Sequence, residues 1–316
     1  MGEFDLIRRF FLPLAQQRRD GTLVAGPGDD CAVQRLAPGT DLVFSIDTLV
    51  EGVHFPGHYP PEYLGWRALA VAVSDLAAMG ADPLCYTLAL TLPAATEDWL
   101  EGFASGLAKA SDAFGIALAG GDTTRGPLTI TLQVHGSVPA GAAITRSGAR
   151  PGDLVCVSGT LGDAGEALNW LSCDEPGPQA RAVLHSYHYP RPPLALGQAL
   201  RGSASAGIDI SDGLLADLAH ILEASGVGAQ LGADKLPLSE ALLALHNRDK
   251  AVALALTSGD DYQLCVTIAP DSFHALPEAV RLQLTVIGTV ETGAGIRLTG
   301  APARLDAGYD HFREYS

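Results

Sequence analysis

Lysine is scarce in this chain of 316 residues, which carries only Lys109, Lys235 and Lys250. None lies in a glycine-rich loop and no G-x-x-x-x-G-K-[ST] segment occurs, so any bound phosphate is held without a lysine of that type. Lysine and arginine together number 20 against 36 acidic residues, a formal charge of −16. That balance argues against a nucleic-acid surface, which needs a basic stripe. Cysteine is sparse too: Cys31, Cys85, Cys156, Cys173 and Cys265 are scattered, with no C-x-x-C pair. Their mostly apolar neighbours read as small core residues in a reducing compartment. No apolar run approaches a membrane span, and the N-terminus carries Arg8, Arg9 and acidic residues where a leader would be apolar. The expectation is a cytoplasmic protein. His54 and His58 have H-x-x-x-H spacing, but Pro56 and Gly57 forbid a zinc-binding helix there. No Ser-His-Asp or Cys-His nucleophile pattern can be assembled, which fits phosphoryl transfer, where positioning and charge neutralisation dominate.

What is present is an ordinary globular composition, 47% hydrophobic and 18% charged, in a chain long enough for two domains. "EFDLIRRFFLPLA" has the spacing of a short amphipathic helix ending near Pro13. "DLVFSID" (41–47) reads as a buried strand with Asp47 at its end. Residues 61–79 form a strong helix, with Pro61 in its first turn, Gly80 as its left-handed cap and Pro83 blocking continuation. "CYTLALTL" (85–92) is a strand, and Thr96 caps a helix that runs to Phe114 and stops at Gly115. "IALAGGD" and "LTITLQVHGSV" complete a first unit. In the latter, Thr129, Thr131, Gln133 and His135 alternate with apolar residues, so one face is less buried or used for assembly. The Gly, Pro and charge cluster at 146–153 marks a change of domain, giving expected domains at 1–138 and 149–316. In the second, "LVCVSG", "YQLCVTI" and "LTVIGTV" are strands, while "AGEALNWLS" and "SDGLLADLAHILEASG" are helices. Paired strands mixed with helices in both units favour an α+β class.

Short acidic clusters recur: "GPGDDCA", "SIDTLVEG", "AVSDLAAMGADP", "GGDTTRG", "GIDISDGL" and "SGDDYQL". Several sit among apolar residues, where an unpaired charge is expensive. If they converge, oxygen-only ligation favours Mg²⁺ over zinc. Asp75 stands out, because it lies mid-helix in a segment with almost no polar stripe, where aspartate has poor propensity. It is either a metal or catalytic group or the one exposed residue of that helix. Asp30 and Asp122 fall in glycine-rich turns. Turn chemistry alone explains them, although two glycines also let backbone N–H groups approach phosphates while Asp122 holds a cation. Asp209 ends a strand before Ser211 and Asp212, either of which can be an N-cap; Ser211 could also serve a phosphate at the helix start. Arg146 is either a solvated linker charge or a bidentate clamp on a phosphate. His54, soon after Asp47, is placed to touch an anionic substrate.

Taken in order, "GDDCAV", "SIDTLVEGVHF", "SDLAAMGADP", "GGDTTRGPL", "RSGARPGD", "IDISDGL" and "SGDDYQLC", down to "GYDHF" (308–312), resemble the thiamine-monophosphate kinase family of the aminoimidazole-ribonucleotide synthetase-like superfamily. The resemblance implies a two-domain α+β fold whose N-terminal sheet forms a barrel across a homodimer. It implies ATP-dependent in-line phosphorylation of thiamine phosphate to thiamine diphosphate, assisted by several Mg²⁺ ions. By the same resemblance Asp30, Asp47, Asp75, Asp122, Asp209 and Asp212 are Mg²⁺ ligands, assisted by Ser45. Gly121, Asp122, Arg146 and Ser211 meet ATP, while His54, Asp260 and Tyr309 meet thiamine phosphate. Asp29 and Asp261 are turn or supporting residues. The chain departs from the family at Ile46, where Thr or Ser is usual, so a metal contact there uses the main-chain carbonyl. It departs again at Asp260, one methylene shorter than the usual Glu. The alternatives are another ATP-dependent enzyme of the superfamily or a non-catalytic protein that binds divalent cations.

Overall fold

The computed structural model describes residues 3–16, 22–27 and 30–301. Asp29 and Tyr309 lie outside the described residues. The chain divides into two compact units, one of residues 1–76 and 81–143, the other of residues 77–80 and 144–316.

The first unit opens with α1 (Glu3–Leu6), which continues as a π-helical stretch, Ile7–Phe11, and a 3₁₀ stretch, Leu12–Gln16. The helical path therefore runs past Pro13, whose fixed φ suits a tightening turn. A short ribbon pairs β1 (Leu23–Ala25) with β2 (Val33–Gln34). Four long strands follow: β3 (Thr40–Val50), β4 (Asp82–Leu92), β5 (Ala117–Arg125) and β6 (Thr129–Pro139). They form one mixed sheet in the order β3-β6-β4-β5, with only β4 and β5 parallel. Between them run α2 (Pro61–Ala78) and α3 (Glu97–Phe114).

Apolar residues surround α2 on all sides, and Leu64, Leu69, Ala72, Val73 and Leu76 are fully buried, as expected of a helix without a solvent face. It packs backbone to backbone on α3. A Cβ on Gly65 would stand 2.2 Å from the Phe103 carbonyl oxygen, and one on Gly106 would stand 2.0 Å from that of Glu62. Gly80 and Gly115 take the left-handed conformation expected of helix stops. Thr96 occupies the N-cap of α3 without a side-chain capping bond.

Two expectations about the strands of this sheet change as well. Residues 41–47 are neither a buried strand nor one ending at Asp47. β3 is eleven residues long, Asp47 sits within it, and Phe44 and Ile46 are 61% and 63% exposed. "GGDTTRG" is not a turn, because Gly120–Arg125 continue β5. Gly121 lies opposite Leu88 of β4, where a Cβ would come within 2.0 Å of the Leu88 carbonyl oxygen. The glycine is required by strand pairing. β6 alternates buried and partly exposed residues along its length, as its sequence suggests.

The second unit contains β7 (Leu154–Ser158), α4 (Asp163–Ala167), α5 (Pro178–His188), α6 (Leu194–Ala199), β8 (Ala204–Asp209), α7 (Leu214–Ser225) and β9 (Gly228–Gly232). It continues with α8 (Glu240–Leu245), α9 (Arg248–Thr257), β10 (Leu264–Ile268), α10 (Pro270–Ala275), α11 (Glu278–Arg281), β11 (Leu284–Glu291) and β12 (Gly295–Thr299). The sheet order is β12-β9-β11-β7-β10-β8, antiparallel except for the β12–β9 pair. Both faces of its centre are covered. Val155, Val157, Ile208 and Cys265 join Leu218, Ile221 and Leu256 on one side. Cys156, Leu264, Val266 and Ile268 join Leu196, Leu200 and Phe273 on the other. That explains the unbroken apolar runs of β7 and β10. Cys85, Cys156 and Cys265 are buried core residues, whereas Cys31 and Cys173 are exposed. Among the described residues no helix is long and apolar enough to cross a membrane.

Candidate active site

On β3 the usual alternation is inverted. Leu42, Phe44 and Ile46 occupy the open face, while Ser45 and Asp47 take the alternate, less exposed positions. Ser45 Oγ donates a hydrogen bond to Oδ2 of Asp75 from α2. Burial first, and the Asp75 charge second, push the Asp47 carboxyl up to about 7. Asp47 Oδ2 is buried with no hydrogen-bond partner. An orphaned carboxylate oxygen beside a second carboxylate and a hydroxyl is an all-oxygen donor set suited to a hard divalent cation. A cation there would offset both the burial and the repulsion. Among the described residues no three His, Cys, Asp or Glu side chains converge as a metal site. A site on this pair therefore fits Mg²⁺, which commonly uses one or two carboxylates and fills its shell with water and phosphate oxygens.

Asp122 does not join that pair within the chain. Asp47, Leu132, Leu88 and Gly121 form one row across the sheet, and three interstrand steps span about 14 Å. Asp122 is exposed on β5 opposite Ala89, whose neighbour Leu88 is buried on the other face. Asp30 is exposed. His54 closes a turn after β3, its Nδ1 accepting the Val50 N–H at 3.0 Å. A neutral His54 ring then carries its proton on Nε2, as a donor suited to an anion.

In the second unit Asp209 is buried at the end of β8. Neither Ser211 nor Asp212 caps α7, whose N-cap is Gly213, at φ +118, without a side-chain capping bond. The three amides of Ser211, Asp212 and Gly213 all donate instead to Oδ2 of Asp217, at 3.0, 3.1 and 3.1 Å. Burial pushes the Asp217 carboxyl up to about 7, against the opposing pull of those amides. Asp217 is not among the residues that the motifs single out. Its signal in the sequence is only an acidic residue in the first turn of a helix.

The segment 258–263 flanks that turn. Asp260 N–H donates to the Ser211 carbonyl at 2.9 Å, and Tyr262 N–H to that of Ile210 at 2.8 Å. Asp260 and Tyr262 both have positive φ, 69° and 49°, a strained backbone of the kind found at functional sites. The Tyr262 hydroxyl donates to Asp260 Oδ1 at 2.9 Å, so this shorter carboxylate is held by a neighbour that the motifs do not point to. Asp261 is a supporting residue: it is buried, and its carboxylate accepts the Gly162 N–H at 2.8 Å. Arg146 is exposed, and its carbonyl accepts from Ser225 Oγ.

Residues 28–138 match the family model described as AIR synthase related protein, N-terminal domain, and residues 150–301 match AIR synthase related protein, C-terminal domain. The chain is thus a two-domain α+β protein of AIR-synthase type, with a mixed sheet in each unit. The thiamine-monophosphate kinase of Salmonella typhimurium (strain LT2) is 44% identical over 98% of each chain. The crystal structure of thiamine-monophosphate kinase from Stenotrophomonas maltophilia K279a matches with a TM-score of 0.86 at 44% identity, covering 96% of this chain and 98% of the other. AaThiL complexed with AMPPCP and TMP matches with a TM-score of 0.80 at 32% identity, covering 98% and 97%. The chain belongs to the thiamine-monophosphate kinase family.

Proposed function

We propose that this chain transfers the γ-phosphoryl group of ATP to thiamine phosphate, forming thiamine diphosphate and ADP. The observation that carries the reading is the buried, unpartnered Asp47 Oδ2 beside Asp75. It lies in a chain that thiamine-monophosphate kinases match over 98% of its length. AaThiL, complexed with AMPPCP and TMP, supports ATP as the co-substrate.

Asp30, Ser45, Asp47, Asp75, Asp122, Asp209 and Asp212 would hold Mg²⁺, together with the main-chain carbonyl of Ile46. What Mg²⁺ supplies when bound is neutralisation of phosphate charge, so that two anions can meet. Gly121, Asp122, Arg146 and Ser211 bind ATP, the exposed Arg146 guanidinium offering two parallel donors to a phosphate. His54 donates from Nε2 to the acceptor phosphate. Asp260, steadied by Tyr262, receives the aminopyrimidine, with Tyr309 as a further substrate contact. An oxygen of the acceptor phosphate attacks the γ-phosphorus in line as the bond to the β,γ-bridging oxygen breaks, and ADP leaves. The acceptor is already an anion at neutral pH, so no general base is assigned.

Residues 1–138 are read as the ATP- and Mg²⁺-binding, dimerising domain and 149–316 as the second domain. The exposed Leu42, Phe44 and Ile46 on the open sheet face favour a homodimer closed into a barrel. The test is incubation with ATP, Mg²⁺ and thiamine phosphate, followed by chromatographic separation of thiamine esters. Thiamine diphosphate and ADP in equal amounts are expected. ADP without thiamine diphosphate, or no turnover by folded, Mg²⁺-loaded protein, would overturn the proposal.

A further inference from the structure

Every backbone N–H from Ile210 to Gly213 is committed inside the protein. Ile210 N–H donates to the Gln263 carbonyl at 2.7 Å, and the next three converge on one oxygen of Asp217. That side chain is 2% exposed. Asp217 therefore occupies, from within the fold, the place that a phosphate takes at an amide-lined helix start. A phosphate approaching those amides would have to displace a buried carboxyl group that already accepts all three.

The other side of the turn is equally confined. A Cβ on Gly259 would lie 2.1 Å from the Ser211 carbonyl oxygen, and one on Gly213 would lie 2.7 Å from that of Thr257. The turn is clamped between Asp217 and the 257–263 segment, while Ser211 and Asp212 remain partly exposed.

We infer that Asp217 is a positioning residue for the kinase reaction: its carboxylate fixes the Ser211–Asp212 turn so that the Ser211 hydroxyl and Asp212 carboxylate, and not the loop amides, meet the nucleotide and its cation. The inference rests on the proposed roles of Ser211 and Asp212. A misplacement of about 1 Å in such a group can cost about 10²-fold in rate, so the geometry of the acceptor matters more than its presence.

Two variants separate positioning from folding. Asp217→Glu keeps the acceptor but extends it by a methylene, and Asp217→Asn keeps the reach of the carbonyl oxygen without the charge. Melting curves, calorimetric titration with AMPPCP and Mg²⁺, and separate KM values for ATP and thiamine phosphate are measured for each. Asp217→Glu should melt within a few degrees of wild type, bind AMPPCP about tenfold more weakly, and raise the KM for ATP more than that for thiamine phosphate. Asp217→Asn should lie within about threefold of wild type in AMPPCP affinity, because its oxygen can still accept the amides. A folded Asp217→Glu with unaltered AMPPCP affinity and ATP KM refutes the positioning role. So does Asp217→Asn if it loses affinity as severely as Asp217→Glu. Ser211→Ala and Asp212→Asn run beside them. If both bind AMPPCP normally, the assigned roles of the turn have failed; if they weaken binding and Asp217→Glu does not, only the present inference has.

Discussion

Asp47→Asn should make the metal-free protein more stable while destroying its function. Burial and the Asp75 charge move the Asp47 carboxyl from 3.8 to about 7. At about 1.4 kcal/mol per tenfold change in the ionisation equilibrium, that displacement corresponds to about 4 kcal/mol. Its sign follows from linkage: a raised carboxyl contributes stability fully below its unfolded value of 3.8, and that contribution is lost as pH rises through about 7. At pH 8 in a chelator, wild type therefore carries the whole cost of an ionised, buried Asp47. Relaxation and water reduce the realised figure, and about 2 kcal/mol, or about 5 °C in Tm, is the gain expected of the amide variant. The gain should shrink to less than about half at pH 5, where the folded carboxyl is protonated. Mg²⁺ should raise the Tm of wild type and leave the Asp47→Asn protein nearly unmoved, with turnover at least about 10²-fold lower in the variant. Calorimetric melting at both pH values, with and without Mg²⁺, decides it. A variant less stable than wild type at pH 8 in chelator, or equally stabilised by Mg²⁺, would refute the reasoning.

Three further perturbations probe the supporting structure. Gly106→Ala places a Cβ 2.0 Å from the Glu62 carbonyl oxygen, so α2 and α3 must part; a loss of about 1–3 kcal/mol is expected, against less than about 0.5 kcal/mol for Gly57→Ala, where a Cβ would meet only Glu51 Oε1 at 3.9 Å. Equal melting of the two variants would contradict the close helix contact. Glu166, buried on α4, accepts hydrogen bonds from Trp170 Nε1 at 2.8 Å and Asn169 Nδ2 at 3.0 Å, and pairs with His246 Nε2 at 2.7 Å. Burial alone would raise its carboxyl, but His246, Trp170 and Asn169 outweigh it and hold the carboxyl below its ordinary 4.5. The stabilisation is present above pH 4.5 and lost as pH falls through the folded value. Glu166→Gln should lose about 1–3 kcal/mol at pH 7 and show a flatter acid limb in its melting profile; an unchanged acid limb would remove Glu166 from that account. Phe44→Glu alters an open-face residue, so a homodimer should dissociate at least about tenfold more readily in sedimentation while each copy keeps its stability within about 0.5 kcal/mol. Identical sedimentation of variant and wild type would argue against this face as the interface.

Much of the scaffold is legible because local chemistry and the fold agree. α2 is bounded by Pro61 and Gly80, and α3 ends at Gly115, each glycine in the left-handed conformation that only its type adopts cheaply. The apolar runs of β7 and β10 announce strands covered on both faces. Asp75 is legible for the opposite reason. A carboxylate on a helix without a solvent face has no structural excuse, and the structure gives it Ser45 and Asp47 as neighbours.

The misreadings cluster where polar and apolar faces are exchanged. β3 reads as buried because Leu42, Phe44 and Ile46 are apolar, yet these point to the open face while Ser45 and Asp47 turn toward Asp75. A periodicity of two reveals alternation but not which face is inside, and the rule that apolar residues go inward fails on a strand that turns Ser45 and Asp47 to one face and presents an apolar surface on the other. Gly121 misleads for a related reason. Its neighbours suggest a phosphate turn, whereas its need for a bare backbone comes from Leu88 on another strand. Asp217 escapes the motifs altogether, because where three orphan amides find their acceptor is a property of the folded turn and not of any local spacing. The aspartates that motif order can name are those proposed to face ligand; the one that holds their loop in place is visible only once backbone hydrogen bonds are counted.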